Sequence, residues 1–240
     1  MKTLIALVSL TPVVALAKSV PVEPSSLASS PLPMMALLAL MALVPFAIVM
    51  LTSFSKIVVV LSIARSALGT QQAPPTMVLT GLAAVLSAHI MAPVMEQMFE
   101  LGKSAYEDSA STTQLVSSAA NVTLPLREFL VKHGSPEERA RFTDLARELR
   151  PQIEMKRVSD EDLTVIVPAF VITELKEAFI IGFLIFLPFL VLDMLVANVL
   201  LALGMQTLSP SQVSLPFKIL LFVADDGWAL LSRGLILGYR

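Results

Sequence analysis

Apolar runs dominate both ends of the chain, and a charged stretch lies between them. The first long run, Met34–Ser53, holds 20 residues without a charge, enough helix to cross a bilayer core. Lys56 and Arg65 flank the apolar IVVVLSIA, the turn-rich GTQQAPP occupies 69–75, and a second apolar run covers Met77–Met95. From Leu163 onward the apolar stretches 163–173, 178–192, 194–208 and 219–224 are cut by Glu174-Leu175-Lys176-Glu177, Asp193, Lys218 and Asp225-Asp226. An uninterrupted run of about 15 residues makes only about 22 Å of helix, short of a bilayer core of about 30 Å. Charges recurring this often suit helices packed in a protein assembly, or lining a water-filled path, better than helices bathed in lipid. Pro188 and Gly204-Met205 are expected to mark a kink and a turn.

Of the 36 charged residues, 22 lie between Glu96 and Asp162, 13 acidic and 9 basic. The pattern divides the chain into an apolar block at 34–95, a soluble insert at 96–162 and a second apolar block at 163–240. Within the insert, SPEERARFTDLAREL predicts a helix. Ser135 fits the N-cap, Pro136 the first turn, and Glu138 completes a capping box. Phe142, Leu145 and Leu149 form a narrow apolar stripe, and Pro151 ends the run. Upstream, LREFLVKHG predicts a short helix stopped by Gly134, and EDSASTTQLVSSAANVT predicts a loop.

Composition places this pattern in a membrane setting. The chain is 55% hydrophobic and 15% charged, with mean hydropathy +0.79, where a soluble domain carries about 25% charged residues. The net charge of −2 and the shortage of aromatics argue against a nucleic-acid partner. With no cysteine and two histidines, thiol chemistry, disulfides and nearly all zinc sites are excluded. The start, MKTLIALVSLTPVVALA, has the grammar of a secretory signal cleaved after Ala17, and 18–33 then reads as a Ser/Pro-rich linker. A cleaved signal leaves the N-terminus outside, so Lys56 and Arg65 fall on the cytoplasmic side of a hairpin and the insert in the periplasm. The expected fold is all-α: polytopic, membrane-associated helical hairpins with a small soluble helical periplasmic insert.

Catalytic, cofactor and metal signatures are absent: no Walker loop, G-x-S-x-G, H-E-x-x-H or Gly-rich dinucleotide turn occurs. Asp225 and Asp226, if helical, point about 100° apart and form no aspartyl dyad. His89 is expected to be a hydrogen-bonded packing residue. Asp193 is the only charge between Ala178 and Leu208, and a lone acid at that depth must face a partner, a cavity or another subunit. Lys218, isolated and opposite in sign, is its expected partner within or between subunits. Glu174, Lys176 and Glu177 read as a solvated helix start, with at least one of them touching a neighbour. In ALGMQTLSP, Gly204 and Ser209-Pro210 bracket a short loop tipped by Met205, a residue able to seal an irregular gap and yield.

Several long motifs then match in order: MLTSFSKIVVVLSIARSALGTQQAPPTMVLTGLA, IMAPV, REFL, VPAFVITELKEAFIIGFLIFLPFLVLDMLVANVLLALGM and SLPFKILLFVADDGW. Over roughly 34–240 the chain resembles the export-gate subunit shared by type III secretion injectisomes and the bacterial flagellum. LGTQQAPP, IMAPV and Asn198 lie closer to injectisome members, although a signal-like start is commoner on the flagellar side. The resemblance implies an inner-membrane, multi-pass protein without enzymatic activity or cofactor. Several copies, five by expectation, would pack with two smaller S- and T-type gate subunits and the switch and export-gate proteins into a closed cone for unfolded substrate proteins. It also implies that Met205, Gln206 and Thr207 stand where the family carries a methionine gasket, of which this chain keeps only Met205. Asp193, Lys218, Glu174, Lys176 and Asp226 would be buried charges serving assembly. Asp225 departs from the family's apolar residue at that position.

Two other classes compete. An ion-coupled secondary transporter would use Asp193 as its proton or cation site, but no internal repeat is found. An intramembrane aspartyl protease would need Asp193 and Asp226 to face each other from separate helices, without the usual flanking glycine motif.

Overall fold

The computed structural model describes residues 31–70, 73–107, 121–149 and 159–240. The expected signal segment, the linker up to residue 30, most of the predicted loop before residue 121, and Pro151 lie outside these ranges. Among the described residues the regular elements are helices: α1 (Pro31–Leu51), α2 (Phe54–Ala67), α3 (Thr76–Glu107), α4 (Leu124–His133), α5 (Pro136–Leu149), α6 (Leu163–Ala202), α7 (Pro210–Ala224) and α8 (Gly227–Leu237). The all-α class is the one observed. The chain divides into two units, Met1–Phe46 and Ala47–Arg240. In the first, α1 exposes Met34, Met35, Leu38, Met41, Leu43 and Phe46. A helix apolar all round needs lipid or protein around it.

In the second unit, α2 is the central element. Its IVVV run has the β-branched character of a strand, yet Ile57, Val60, Leu61, Ala64 and Ala67 recur at helical spacing and are all completely buried. Packing overrides propensity here. The break before α2, at Thr52-Ser53, is held by hydroxyls. Ser53 donates to Ser87 of α3 at 3.1 Å, and Ser87 donates to Thr52 at 3.2 Å. Lys56 and Arg65 thus stand on a helix, not in the connection of a hairpin, and Lys56 is buried.

The largest departure from the sequence pattern is α6, which runs unbroken through 40 residues, about 60 Å at 1.5 Å per residue. Glu174, Lys176, Glu177 and Asp193 lie inside it, as do Pro168 and Pro188. The charges do not end helices here. The most apolar part of α6 is largely bare, with 11% of it buried, whereas the part around Val165–Glu174 is packed. Among the described residues two helices, α3 and α6, are long and apolar enough to cross a membrane, or three segments if the bent pair Met41–Leu51 and Phe54–Ala67 counts as one.

α2 and α6 lie side by side in the same direction. Lys56 meets Glu174, Ile63 meets Gly182, and Ala67 clusters with Phe189. A Cβ on Gly182 would stand 2.4 Å from Ile63 Cδ1, so the two backbones approach as closely as they do only because residue 182 has no side chain.

The insert helices pack against α6. Gly134 ends α4 as expected, but in an extended conformation (φ −81°, ψ 129°) rather than the left-handed one. The capping box of α5 does not form. The Ser135 amide donates to Thr173 Oγ1 of α6 at 3.0 Å, and Glu138 turns to Arg141 at 3.3 Å. Tertiary contact with α6 wins over the local cap. The apolar stripe of α5 turns partly outward: Leu145 and Leu149 are exposed and Phe142 half-buried, while Glu138 and Thr143 are buried.

Candidate functional site

Two charge centres tie α6 to its neighbours. The first forms around Lys56, near the start of α2. Glu174 and Glu177 stand three residues apart on one face of α6, and Lys56 Nζ lies 3.0 Å from Glu174 Oε1 and 2.6 Å from Glu177 Oε2. Glu174 is completely buried and Lys56 nearly so. The Tyr239 hydroxyl donates to Glu174 Oε2, and Lys56 Nζ sits 4.2 Å above the Tyr239 ring, where the face of the π system attracts a cation. Glu174 Oε1 receives the lysine as an ion pair without a well-aligned hydrogen bond. The tyrosine ring stacks on Phe129 of α4 at 6.0 Å, with His133 tilted beside it at 5.0 Å.

The second centre joins Asp193 of α6 to Lys218 of α7 at 2.6 Å. Ser214, one turn before Lys218, donates to the other Asp193 oxygen at 2.5 Å. Lys218 also donates to the Ala67 carbonyl at 3.2 Å. That carbonyl belongs to the last turn of α2, where backbone acceptors lack helical partners and the dipole favours a cation. The partnership expected from sequence is thus made within one chain. Lys218 is buried, whereas the Asp193 side chain keeps 34% of its surface exposed.

Other candidates fall elsewhere. Lys176 is not buried: its side chain is 56% exposed and reaches only Glu138, at 3.8 Å, because residue 176 turns away from the face shared by 174 and 177. Asp226 is also exposed. It occupies a left-handed turn (φ 49°) between α7 and α8, so Asp225-Asp226 closes one helix and opens the next instead of lying along one. His89 is exposed on α3 rather than packed. Glu174 sits a quarter of the way along α6, not at a helix start.

Beyond α6 the chain turns through Leu203–Ser209. Gly204 adopts φ +70°, its amide donates to the Leu201 carbonyl at 3.1 Å, and the Met205 amide donates to Leu200 at 2.9 Å. This pair of bonds around a left-handed glycine is the Schellman ending. Pro210 then opens α7. Met205, Gln206 and Thr207 form the exposed tip of the α6–α7 hairpin.

Both centres join helices to one another through ion pairs. Asp193 already holds a lysine and a serine hydroxyl, which leaves little of it for a transported cation or for catalysis with Asp226. No group of three or more His, Cys, Asp or Glu among the described residues is placed to hold a metal. Reading the sequence missed Lys56 as the partner of Glu174, and missed Tyr239 and Ser214. Lys56 carried the same signal as Asp193, an isolated charge in apolar sequence. Tyr239 carried none, since its contacts join distant segments.

The FliP family matches residues 37–235. The chain is 45% identical over 201 residues to the hypersensitivity response secretion protein HrcR of Ralstonia nicotianae, covering 83% of this chain and 93% of that protein. It is 44% identical over 203 residues to the Yop proteins translocation protein R of Yersinia pestis, covering 84% and 93%. It is 41% identical over 208 residues to the flagellar biosynthetic protein FliP of Bacillus subtilis, covering 87% and 91%. The chain belongs to the FliP family.

Proposed function

We propose that this chain is a core subunit of a type III protein export gate, of the injectisome kind, embedded in the bacterial inner membrane with residues 96–162 toward the periplasm. Copies of the chain, five by expectation, would join two smaller gate subunits and surround a path for unfolded proteins. Its relatives carry names of secretion and flagellar proteins. The observation that carries the reading is the α6–α7 hairpin. Its two central charges cancel within the chain, while Phe183, Leu184, Met194, Leu195, Val199 and Leu220 lie bare on its outer surface. Apolar surface on that scale calls for lipid or further subunits. With Asp193 and Lys218 satisfied internally, a hairpin can meet identical neighbours without stranding a charge in the interface. The loop Met205–Thr207 at its tip would stand at the constriction.

The mass of the complex purified in mild detergent tests this. A multimer of this chain with two smaller partners, together with loss of effector secretion when the chain is deleted, is the expected result. A monomer or dimer that transports small ions in vesicles would instead support the transporter.

A further inference from the structure

Outside the α6–α7 hairpin, four distant segments meet at one aromatic ring. Tyr239 touches Lys56 of α2 through its face and Glu174 of α6 through its hydroxyl. It stacks on Phe129 of α4 with the two planes 13° apart. His133 closes the cluster, 5.0 Å from Tyr239 and 4.7 Å from Phe129. α3 adds the apolar groups Met91, Ile90 and Val94 to this cluster. The insert helix α4 is therefore fastened to the apolar core by a joint in which a histidine packs on two aromatic rings, one of which also touches the ion pair.

We propose that this cluster is a proton-sensitive joint: protonation of His133 loosens α4 from the core while the contact between α2 and α6 persists. The charged groups acting on His133 are Lys132 on its own helix, Lys56 on α2 and Glu177 on α6. Glu174 is linked to it through Tyr239. Burial holds the imidazole below its usual range, with Lys132 and then Lys56 acting in the same direction and Glu177 opposing them. The folded joint thus prefers neutral His133. When U binds more protons than N, stability rises with pH. The joint is therefore fully stabilised above about pH 6.5, the ordinary value of histidine, and weakens as pH falls through the lowered value. The ion pairs of Lys56 with Glu174 and Glu177 join α2 to α6 without His133, so the weakening falls on the α4 side. The consequence is that the position of the insert, and whatever docks on it, responds to acidity on the side of the membrane where it lies.

Hydrogen exchange on the purified full complex decides the matter, with amide rates corrected for intrinsic pH dependence. Between pH 7.5 and 5.5 the α4 amides, Leu124–His133, should lose protection several-fold while those of α2 hold. His133→Phe keeps an aromatic ring but removes the titration, and should abolish the pH dependence. His133→Gln should abolish it too, from a lower starting protection. Tyr239→Phe retains both the stack and the pH response. Wild-type α4 protection that does not change with pH overturns the proposal, as does a pH response surviving in His133→Phe, which would assign the titration to Glu174 or Glu177.

Discussion

Removing either partner of the Lys56–Glu174 pair should not cost the same. Lys56 has two anions: Glu174 at 3.0 Å and Glu177 at 2.6 Å, besides the Tyr239 face. Glu174 has one cation and one hydroxyl donor. Its side chain is completely buried, whereas Glu177 is 48% exposed and can turn to water. Lys56→Met therefore strands a carboxylate with only the tyrosine, and breaking a buried pair in this way costs about 3–5 kcal/mol. Glu174→Gln leaves the lysine with Glu177, and an amide still accepts from Tyr239. Its loss should be nearer the value of a hydrogen bond to a charged group, about 1.5–3 kcal/mol. The double variant removes both charges and should be milder than the sum of the two, by about 0.5–3 kcal/mol as for residues in direct contact.

The assay is the apparent melting temperature of the detergent-purified complex, together with its steady-state abundance in cells. Lys56→Met should sit well below Glu174→Gln in both, and the double variant should regain part of the loss. Equal effects of the two single changes, or strict additivity, would refute the claim that Glu177 is a reserve partner and that Glu174 depends on Lys56.

Three further outcomes are expected. Asp193→Ala and Lys218→Ala should each lower assembly, with the double neutral variant milder than their sum; because Asp193 is partly exposed, these losses should fall short of those at Lys56, and native-gel yield measures them. Gly182→Val should overpack Ile63 at a cost of about 1–3 kcal/mol, and adding Ile63→Ala should restore part of the melting temperature. Met205→Gly should raise small-ion conductance of the assembled complex while leaving its yield intact, since the residue touches no core; unchanged leakage in a fully assembled gate would put the seal in another subunit.

Helix content and the two charges of the α6–α7 hairpin were legible because both leave local marks. Apolar runs of helical length and an isolated acid and base in apolar sequence need no knowledge of distant contacts. What failed was the inference that charges interrupt helices. Glu174, Lys176, Glu177 and Asp193 look like breaks in a hydropathy trace, but a charged side chain is costly in an apolar helix only when unpaired. Lys56 and Lys218 supply the pairing for the three acids from other elements, and Lys176 stays exposed near Glu138, so α6 continues through all four. The capping box at Ser135 failed for the converse reason: a strong local motif yielded to Thr173 on a neighbouring helix. His89 and Asp226 are exposed in the single chain, and residue type alone does not tell an exposed face from one that packs in an assembly.

The placement of the two charge centres has a consequence for how the hairpin tip is aimed. Lys56 is near the beginning of α2 and Ala67 at its end; through Glu174 and the Lys218–Asp193 pair, both ends of α2 are fixed to α6. Between them only apolar contacts and the Ile63–Gly182 approach remain. Where lipid surrounds the helices, apolar side chains gain little by choosing one neighbour over another, and a slip of one helical turn would cost them little. A slip of α2 against α6 by one turn, about 5.4 Å, would instead take Lys56 away from at least one of its two carboxylates and part Lys218 from the Ala67 carbonyl. The charges therefore set register where the apolar surface cannot. Asp193 lies twelve residues before Met205 on the chain, so the second centre also sets the height of the hairpin tip relative to α2. In the ring proposed above, a tip whose height is fixed within each chain would let every Met205 meet at one level, as a seal made from a single methionine per copy would require.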